Sequence, residues 1–440
     1  MLFLGVWGIQ ATAQRTDSAQ TRYFTARQAV DFAMANAIAV KNALLDIEAQ
    51  RQMNKQVTAS ALPQITGNVS LTDYLSLPTS LIPAEFFGGT PGTYEPIKFG
   101  TKYNGTYGGD LQQVLFDGQV FAGLQARKTS IDYYMKQKEV TEDQIKANVY
   151  KVYYQLVVGE RQIGTIDANI GNYEKLLHDT REIYKNGFAE KLDVDKVQVQ
   201  LSNLYTQRDK AQNQIDAGLE GLKFLMHVPQ KDSLVLTDTL SDDEIKANIL
   251  DESYSYDDRK DYQLLGLYSK LQGYNIKRYQ LSRIPTLTFD ANIAQNAQRE
   301  TFDFFKAGGQ FFTTSFISLR LSVPIFSGFA KNAEVAQARI AWQKAQNNLD
   351  QMKASIDNDV SQARLSMKSA ITTMDSQKKN TDLAESVYNA TKLKYEQGVG
   401  SNQEINQAEA DLVTAQNSYY QALYDAIIAK VDYLQATGKL

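Results

Sequence analysis

Ile317-Ser318-Leu319-Arg320-Leu321-Ser322-Val323-Pro324-Ile325-Phe326-Ser327-Gly328 is followed by a change of period. Ile317, Leu319, Leu321, Val323 and Ile325 alternate with Ser318, Arg320 and Ser322, the two-residue period of a strand with one apolar and one polar face. Beyond Gly328 the alternation stops. From Phe329 to Gln397 there is neither Pro nor Gly, a run of about 69 residues without a helix breaker. At about 1.5 Å per residue, a helix of that length reaches about 100 Å. Its apolar positions, among them Leu349, Met352, Ile356, Val360, Ala363, Met367, Ala370 and Met374, step by three and four. They form a narrow seam on a helix otherwise made of Lys, Gln, Asp, Asn and Ser. Such a helix meets other helices and water, so the chain is not a compact globular domain.

The same hand-over stands about 210 residues earlier, where Val114-Leu115-Phe116-Asp117-Gly118 precedes a second long stretch with Ile163, Ile166, Ile170, Tyr173 and Leu177 in its seam. Further pairs keep nearly that offset. Val194, Val197, Leu201, Leu204, Ala211 and Ile215 correspond to Ile405, Ala408, Leu412, Ala415, Ala422 and Ala426. Tyr184-Lys185-Asn186-Gly187 corresponds to Tyr395-Glu396-Gln397-Gly398, and, without holding that offset, a helix running into proline also recurs at Ala61-Leu62-Pro63 and Arg283-Ile284-Pro285. Matches in this order indicate two internal repeats. The expected first repeat, 24–228, holds a helix, strands at about 64–76 and 102–116, and helices at about 118–185 and 190–227. A linker follows at 229–256. The second repeat, 257–440, holds a helix, strands at about 286–296 and 312–325, and helices at about 328–397 and 401–438.

Each expected strand is about ten residues long with one apolar and one polar face, as suits a barrel between lipid and a watery lumen. A half-buried soluble sheet carries the same alternation, but here nothing else would cover the apolar faces. Four strands are too few to close a barrel with a lumen, and an open edge in lipid leaves backbone groups unpaired. The chain is therefore expected to associate with copies of itself. The Pro-rich tract 77–100 is expected to be a surface loop between the first two strands.

Composition excludes much else. The 46 Lys+Arg nearly balance 50 Asp+Glu for a net charge of −4, without the basic stripe of a nucleic-acid binder. The absence of cysteine removes zinc-thiolate sites, iron–sulfur clusters, thiol catalysis and disulfides. Only His178 and His227 are available for imidazole chemistry, and they lie far apart in sequence. No Gly-rich phosphate loop precedes a helix and no nucleophile–base set is apparent, so no enzyme activity, cofactor or metal is expected. Met1–Ile9 is apolar, and Ala11-Thr12-Ala13 has the small-x-small pattern of signal-peptidase cleavage. A signal peptide over 1–13 is expected, although no Lys or Arg supplies its positive n-region. No later stretch has the roughly 18 consecutive apolar residues of a membrane-spanning helix.

These features together resemble the TolC-type outer membrane efflux proteins over nearly the whole chain from Phe24. The matching marks are the Tyr-x-x-Gly turns at Tyr184/Gly187 and Tyr395/Gly398, each followed six residues later by Asp193 or Glu404. The Phe-x-Gly strand exits and the closing Tyr433–Leu440 segment match as well. The resemblance implies a mixed α/β membrane channel: a homotrimer with a twelve-stranded transmembrane β-barrel in the Gram-negative outer membrane, continued by a coiled-coil α-helical periplasmic tunnel. It implies passive export, with a periplasmic adaptor and an inner-membrane transporter as partners.

The resemblance also implies site residues. Gly187, Phe188, Ala189, Gly398, Val399 and Gly400 at the two turns would meet the adaptor. Asp193 and Tyr395 match a pair linking helix tips at the periplasmic gate, and Glu404 matches an aspartate of an acidic ring there. Gly400 stands in place of an arginine of the second gate link, and Leu192 in place of a threonine, so that link does not carry over. The plainer reading of Asp193 and Glu404 is a carboxylate at a helix N-terminus, favoured by the helix dipole. For Phe188 it is packing on the neighbouring turn. A periplasmic adaptor would need a compact β-rich module around a single helical hairpin, and a secreted coiled coil would not carry four alternating strands.

Overall fold

The computed structural model describes residues 19–239, 245–246, 253–306 and 308–440. The expected signal peptide, 1–13, lies outside the described residues, as does part of the expected linker 229–256. The chain divides into two units. A helical unit comprises 1–45, 136–263 and 350–440, and a strand unit comprises 46–135 and 264–349.

The helical unit begins with strand β1 (Thr21–Phe24) and helix α1 (Ala26–Asn36). Thr25 caps α1: its hydroxyl accepts from the Gln28 amide at 3.2 Å, and the Gln28 side chain accepts from the Thr25 amide at 3.0 Å. Most of helix α3 (Gly118–Lys185) follows, then all of α4 (Lys191–Met226). Strand β6 (Ser233–Leu236) pairs in parallel with β1, from Thr21 opposite Ser233 to Phe24 opposite Leu236. Arg22 bonds Asp232 at 2.8 Å beside this pair and holds the Asp232 carboxyl below the ordinary aspartate range.

Long helices α6 (Ala330–Glu396) and α7 (Asn402–Thr437) close the chain, and α6 from residue 350 onward belongs to this unit. Seams rather than a single core hold the helices together. One cluster joins Val30 and Ala33 of α1 to Tyr153 and Leu156 of α3 and Leu222 and Met226 of α4. A second joins Ile356, Val360 and Met367 of α6 to Leu423, Ala426 and Tyr433 of α7. The third takes one seam from each of four helices: Ile170 and Tyr173 of α3, Val197 and Leu201 of α4, Tyr388 of α6, and Ile405, Ala408 and Leu412 of α7. These are residues at three- and four-residue spacing, the geometry that places side chains on one helical face.

The strand unit carries a four-stranded antiparallel sheet in the order β2 (Gln64–Asp73), β5 (Tyr103–Phe116), β7 (Thr286–Arg299), β8 (Phe312–Ser322). Thr66, Asp110, Asn292 and Phe316 share one row across it, and Gly67, Gly109, Ile293 and Ser315 the next. Because strand side chains alternate, the face of Ile65, Val69, Leu71, Leu111, Ile317, Leu319 and Leu321 is apolar. The other bears Asn68, Thr106, Asp110, Asn292, Asn296 and Ser318. The apolar face is bare: Val69 is 85% exposed and Ile317 79%. The polar face is bonded across strands, Asp110 accepting from both Asn68 and Asn292, and Thr106 bonding Asn296 at 2.9 Å. β8 stops at Ser322, close to Pro324, which has no amide hydrogen to give a ladder.

Within the tract expected as a plain surface loop, β3 (Thr79–Pro83) and β4 (Tyr94–Lys98) form a separate antiparallel hairpin. The remaining helices, α2 (Ile38–Ala59) and α5 (Lys260–Leu281), run into this unit and precede β2 and β7 respectively. Here Asn54 of α2 donates to the Arg127 carbonyl of α3 at 2.9 Å, and Gln346 of α6 donates to Ser269 of α5 at 2.5 Å. No described helix is long and apolar enough to cross a membrane.

Candidate functional site

Two turns reverse the chain inside the helical unit, and the sequence reading puts its site residues there. At the first, α3 ends in a left-handed residue, Gly187 with φ 80°. The Gly187 amide donates to the Tyr184 carbonyl at 2.9 Å and the Phe188 amide to Ile183 at 3.0 Å, so two carbonyls of the last helical turn are satisfied. The second turn repeats this with Gly398 at φ 75°, its amide on Tyr395 at 3.0 Å and the Val399 amide on Lys394 at 3.0 Å. One bond is added: the Gly400 amide also reaches the Lys394 carbonyl at 3.0 Å. The chain at Gly400 therefore folds tightly over the helix end. A Cβ there would stand 2.9 Å from the Tyr395 nitrogen and 3.1 Å from the Lys394 carbonyl carbon, so the turn in this form admits no side chain, least of all an arginine.

Apolar groups project from both turns. Phe188 is 86% exposed and Val399 76%, while Ala189 is half-buried. Among the described residues no bonded gate pair forms. The Asp193 carboxylate accepts from the Glu190 amide at 3.2 Å and so caps its own helix, α4. The exposed Glu404 lies in the first turn of α7, where its amide donates to the Ser401 hydroxyl at 3.2 Å. Tyr395 shares a 3.3 Å bond with Thr180 of α3 and packs its ring on the third cluster. Among the described residues no hydrogen bond joins Asp193 to Tyr395.

Sequence reasoning missed a polar ladder between α3 and α7. Gln162 donates to Asn417 at 3.0 Å, Thr165 meets Tyr420 at 2.5 Å, and the buried Asn169 donates to Gln416 at 2.7 Å. One rung nearer the turns, Glu409 of α7 stands in the region of Tyr173. It is 1% exposed, and neither carboxylate oxygen has a hydrogen-bond partner. Burial pushes its pKa up to about 8, opposed only by the positive charge of Lys392 on α6. The signal was in the spacing, since Glu409 follows Ile405 by four and precedes Leu412 by three, on the seam face.

The histidines do not form a site. His178 is exposed on α3, and His227 is the left-handed residue that ends α4. Among the described residues no group of His, Asp and Glu is arranged to hold a metal ion.

A family model described as outer membrane efflux protein matches residues 268–439. The proteases secretion protein PrtF of Dickeya chrysanthemi is 21% identical over 334 residues, 74% of this chain and 69% of the relative. The outer membrane protein TolC of Vibrio cholerae is 20% identical over 345 residues, 75% of this chain and 76% of the relative. Among solved structures, the outer membrane protein VceC of Vibrio cholerae superposes with a TM-score of 0.71 at 15% identity, covering 94% of this chain and 96% of that one. Proteins described as outer membrane efflux and secretion proteins thus share its sequence pattern over about three quarters of its length and its fold over nearly all of it, so the chain is similar to the TolC-type outer membrane efflux proteins.

Proposed function

We propose that three copies of this chain close one twelve-stranded barrel, and that the assembly is the exit duct of a tripartite efflux or type I secretion system. One observation carries the reading: a four-stranded sheet with a bare apolar face and one free edge on each of β2 and β8. In lipid an unpaired edge costs several kcal/mol per backbone group, so such a sheet needs strands from other copies beside β2 and β8. The number three rests on the family resemblance, and the two internal repeats on the sequence matches at an offset of about 210. The polar face then lines the lumen and the apolar face meets lipid. The helical unit lies in the periplasm, where an adaptor delivers substrate from an inner-membrane transporter.

In this reading the adaptor docks on Gly187, Phe188, Ala189, Gly398, Val399 and Gly400. Phe188 is its leading anchor, because an aromatic so exposed at a turn gains most from a pocket on a partner. Asp193, Tyr395 and Glu404 belong to the gate. Asp193 reaches Tyr395 only after leaving its helix cap, or meets its partner on a neighbouring copy. Photo-crosslinking from position 188 in living cells, with mass spectrometry of the product, tests the docking. A periplasmic adaptor in the product supports it. Capture of neighbouring copies alone assigns Phe188 to the duct's own packing. Tyr395→Phe together with Asp193→Ala should raise single-channel conductance in lipid bilayers, and unchanged conductance removes the pair from the gate.

A further inference from the structure

The ladder between α3 and α7 is bonded at Gln162, Thr165 and Asn169, and Thr180 bonds Tyr395 next to the second turn. Between Asn169 and Thr180 no hydrogen bond joins α3 to α7 among the described residues, and a carboxyl group stands in the gap. Two helices besides its own bear on Glu409, and a third, α4, contributes to the adjoining cluster. From α3 it faces Tyr173, and from α6 it faces Tyr388 and Lys392. To the same apolar cluster α4 gives Val197, Leu201 and Leu204. On α7 its cluster neighbours are Ile405, Ala408 and Leu412, while Glu404 and Asp411 face solvent. A cleft of about 230 Å³ adjoins this rung, lined by Tyr388, Lys392, Tyr395 and Ile405 and by the charged Lys175, Asp179 and Glu396.

Buried without a bonding partner, a carboxyl group is stable there only as the uncharged acid. Ionised, it needs a cation or water, and the nearest cation is Lys392, which borders the cleft. We propose that Glu409 is a proton-operated latch on the helix seam beside the second turn. Holding its proton, it packs against Tyr173 and Tyr388 and keeps α3, α6 and α7 together. On losing the proton to solvent, the carboxylate leaves the apolar seam for Lys392 and the hydrated cleft, and the helices part there. That this parting widens the duct's periplasmic end rests on the duct reading above. Residue 198, about 211 positions earlier, holds the matching place on α4. It is Gln198, exposed and bonded to Arg181 at 2.7 Å, so only the second turn carries a titratable group at this place.

The test uses the full-length oligomer with two readouts and two variants, Glu409→Gln and Lys392→Met. Glutamine has the same shape and cannot lose a proton. Hydrogen exchange of the amides at 403–412, corrected for intrinsic rate, should speed up at least about tenfold between pH 6.5 and 9.5 in the wild type, since each pH unit past the midpoint favours the open form tenfold. The Gln variant should change less than about twofold. In Lys392→Met the transition should move to higher pH, because the cation that favours the carboxylate is gone. Single-channel conductance in bilayers should follow the same three profiles. An unchanged exchange profile in Glu409→Gln overturns the latch, and exchange steps without conductance steps overturn its role in gating. A lack of any channel in all three proteins counts against the duct reading alone, and exchange still decides the latch.

Discussion

Both helix turns start from the same device, a left-handed glycine after a tyrosine, and then diverge. At the first, Ala189 occupies the place that Gly400 holds at the second, and a side chain is accommodated. At the second, the extra bond from the Gly400 amide to Lys394 draws the chain so close to the helix end that a Cβ has no room. Behind the turns the contrast deepens. Arg181 bonds Gln198 at 2.7 Å on the surface, whereas Lys392 and Glu409, which stand in the same relation, sit at the edge of the core with no bond between them. Turns of matched sequence therefore differ in kind. The first is loosely built and exposed, with Phe188 at its tip, and the second is tight and backed by a buried acid.

The largest effect expected from this contrast is a pH-dependent stability that belongs to the second turn alone. Glu409 in the unfolded chain titrates near the ordinary glutamate pKa of 4.5, and in the folded chain at about 8. Between these values the folded state holds a proton that the unfolded state has released. Stability is thus fully present below about pH 4.5, falls as pH rises, and has lost this contribution above about 8. Glu409→Gln removes the slope. Its melting temperature relative to the wild type should climb between pH 5 and 8.5 by an amount equivalent to a few kcal/mol. Gln198→Glu, the reciprocal change at the exposed first turn, should produce no comparable slope.

Next in size is Gly400→Ala. The added methyl must push the Tyr395 or Lys394 backbone, at a cost of about 1–3 kcal/mol, while Ala189→Gly at the first turn should cost less than about 1 kcal/mol. Denaturant midpoints of the two variants measure the difference directly. Equal losses would mean that the extra bond at Gly400 does not tighten the turn. Ser401→Ala follows, removing the hydroxyl that accepts from the Glu404 amide at 3.2 Å, with an expected loss of about 1 kcal/mol.

The sequence makes the contrast legible only in part, for physical reasons. Strand alternation in β5, β7 and β8 is plain because each strand separates two different environments, and the run without Pro or Gly in α6 follows from its long helix, whereas α3 holds no Pro but carries several glycines within its length. The pairing of β1 with β6 is invisible because four-residue strands about 210 positions apart carry too little pattern. Pro83 and Pro96 argue against strands in the tract where β3 and β4 nevertheless pair. The turn glycines and the projecting Phe188 follow from sequence, as does the capping role of Asp193, since short carboxylates favour helix starts. Glu409 does not, because a glutamate on a polar helix is ordinarily solvated. Its burial on the helix seam, with Tyr173 and Tyr388 of two other helices close enough to feel its charge, makes it a buried acid.

The smallest effect sharpens the comparison most. Arg181→Ala deletes one surface hydrogen bond between long, mobile side chains, and water replaces the lost partner at once. Its cost should stay within about 0.5 kcal/mol at every pH. Lys392→Ala, at the corresponding place, removes the positive charge that opposes the burial of Glu409, and also the ammonium lying 5.7 Å from the Tyr388 ring centroid. At pH 6, where Glu409 holds its proton, the two alanine variants should differ little. Above about pH 8 the wild type is steadied by Lys392 and the variant is not, so their difference should open as the acid ionises. Thermal melts of both variants at pH 6 and pH 9 are sufficient. A gap that opens with pH assigns the asymmetry to the charge on Glu409. A gap constant across pH assigns it to the packing of the lysine stem on Tyr388, and leaves the two turns different in shape but not in titration.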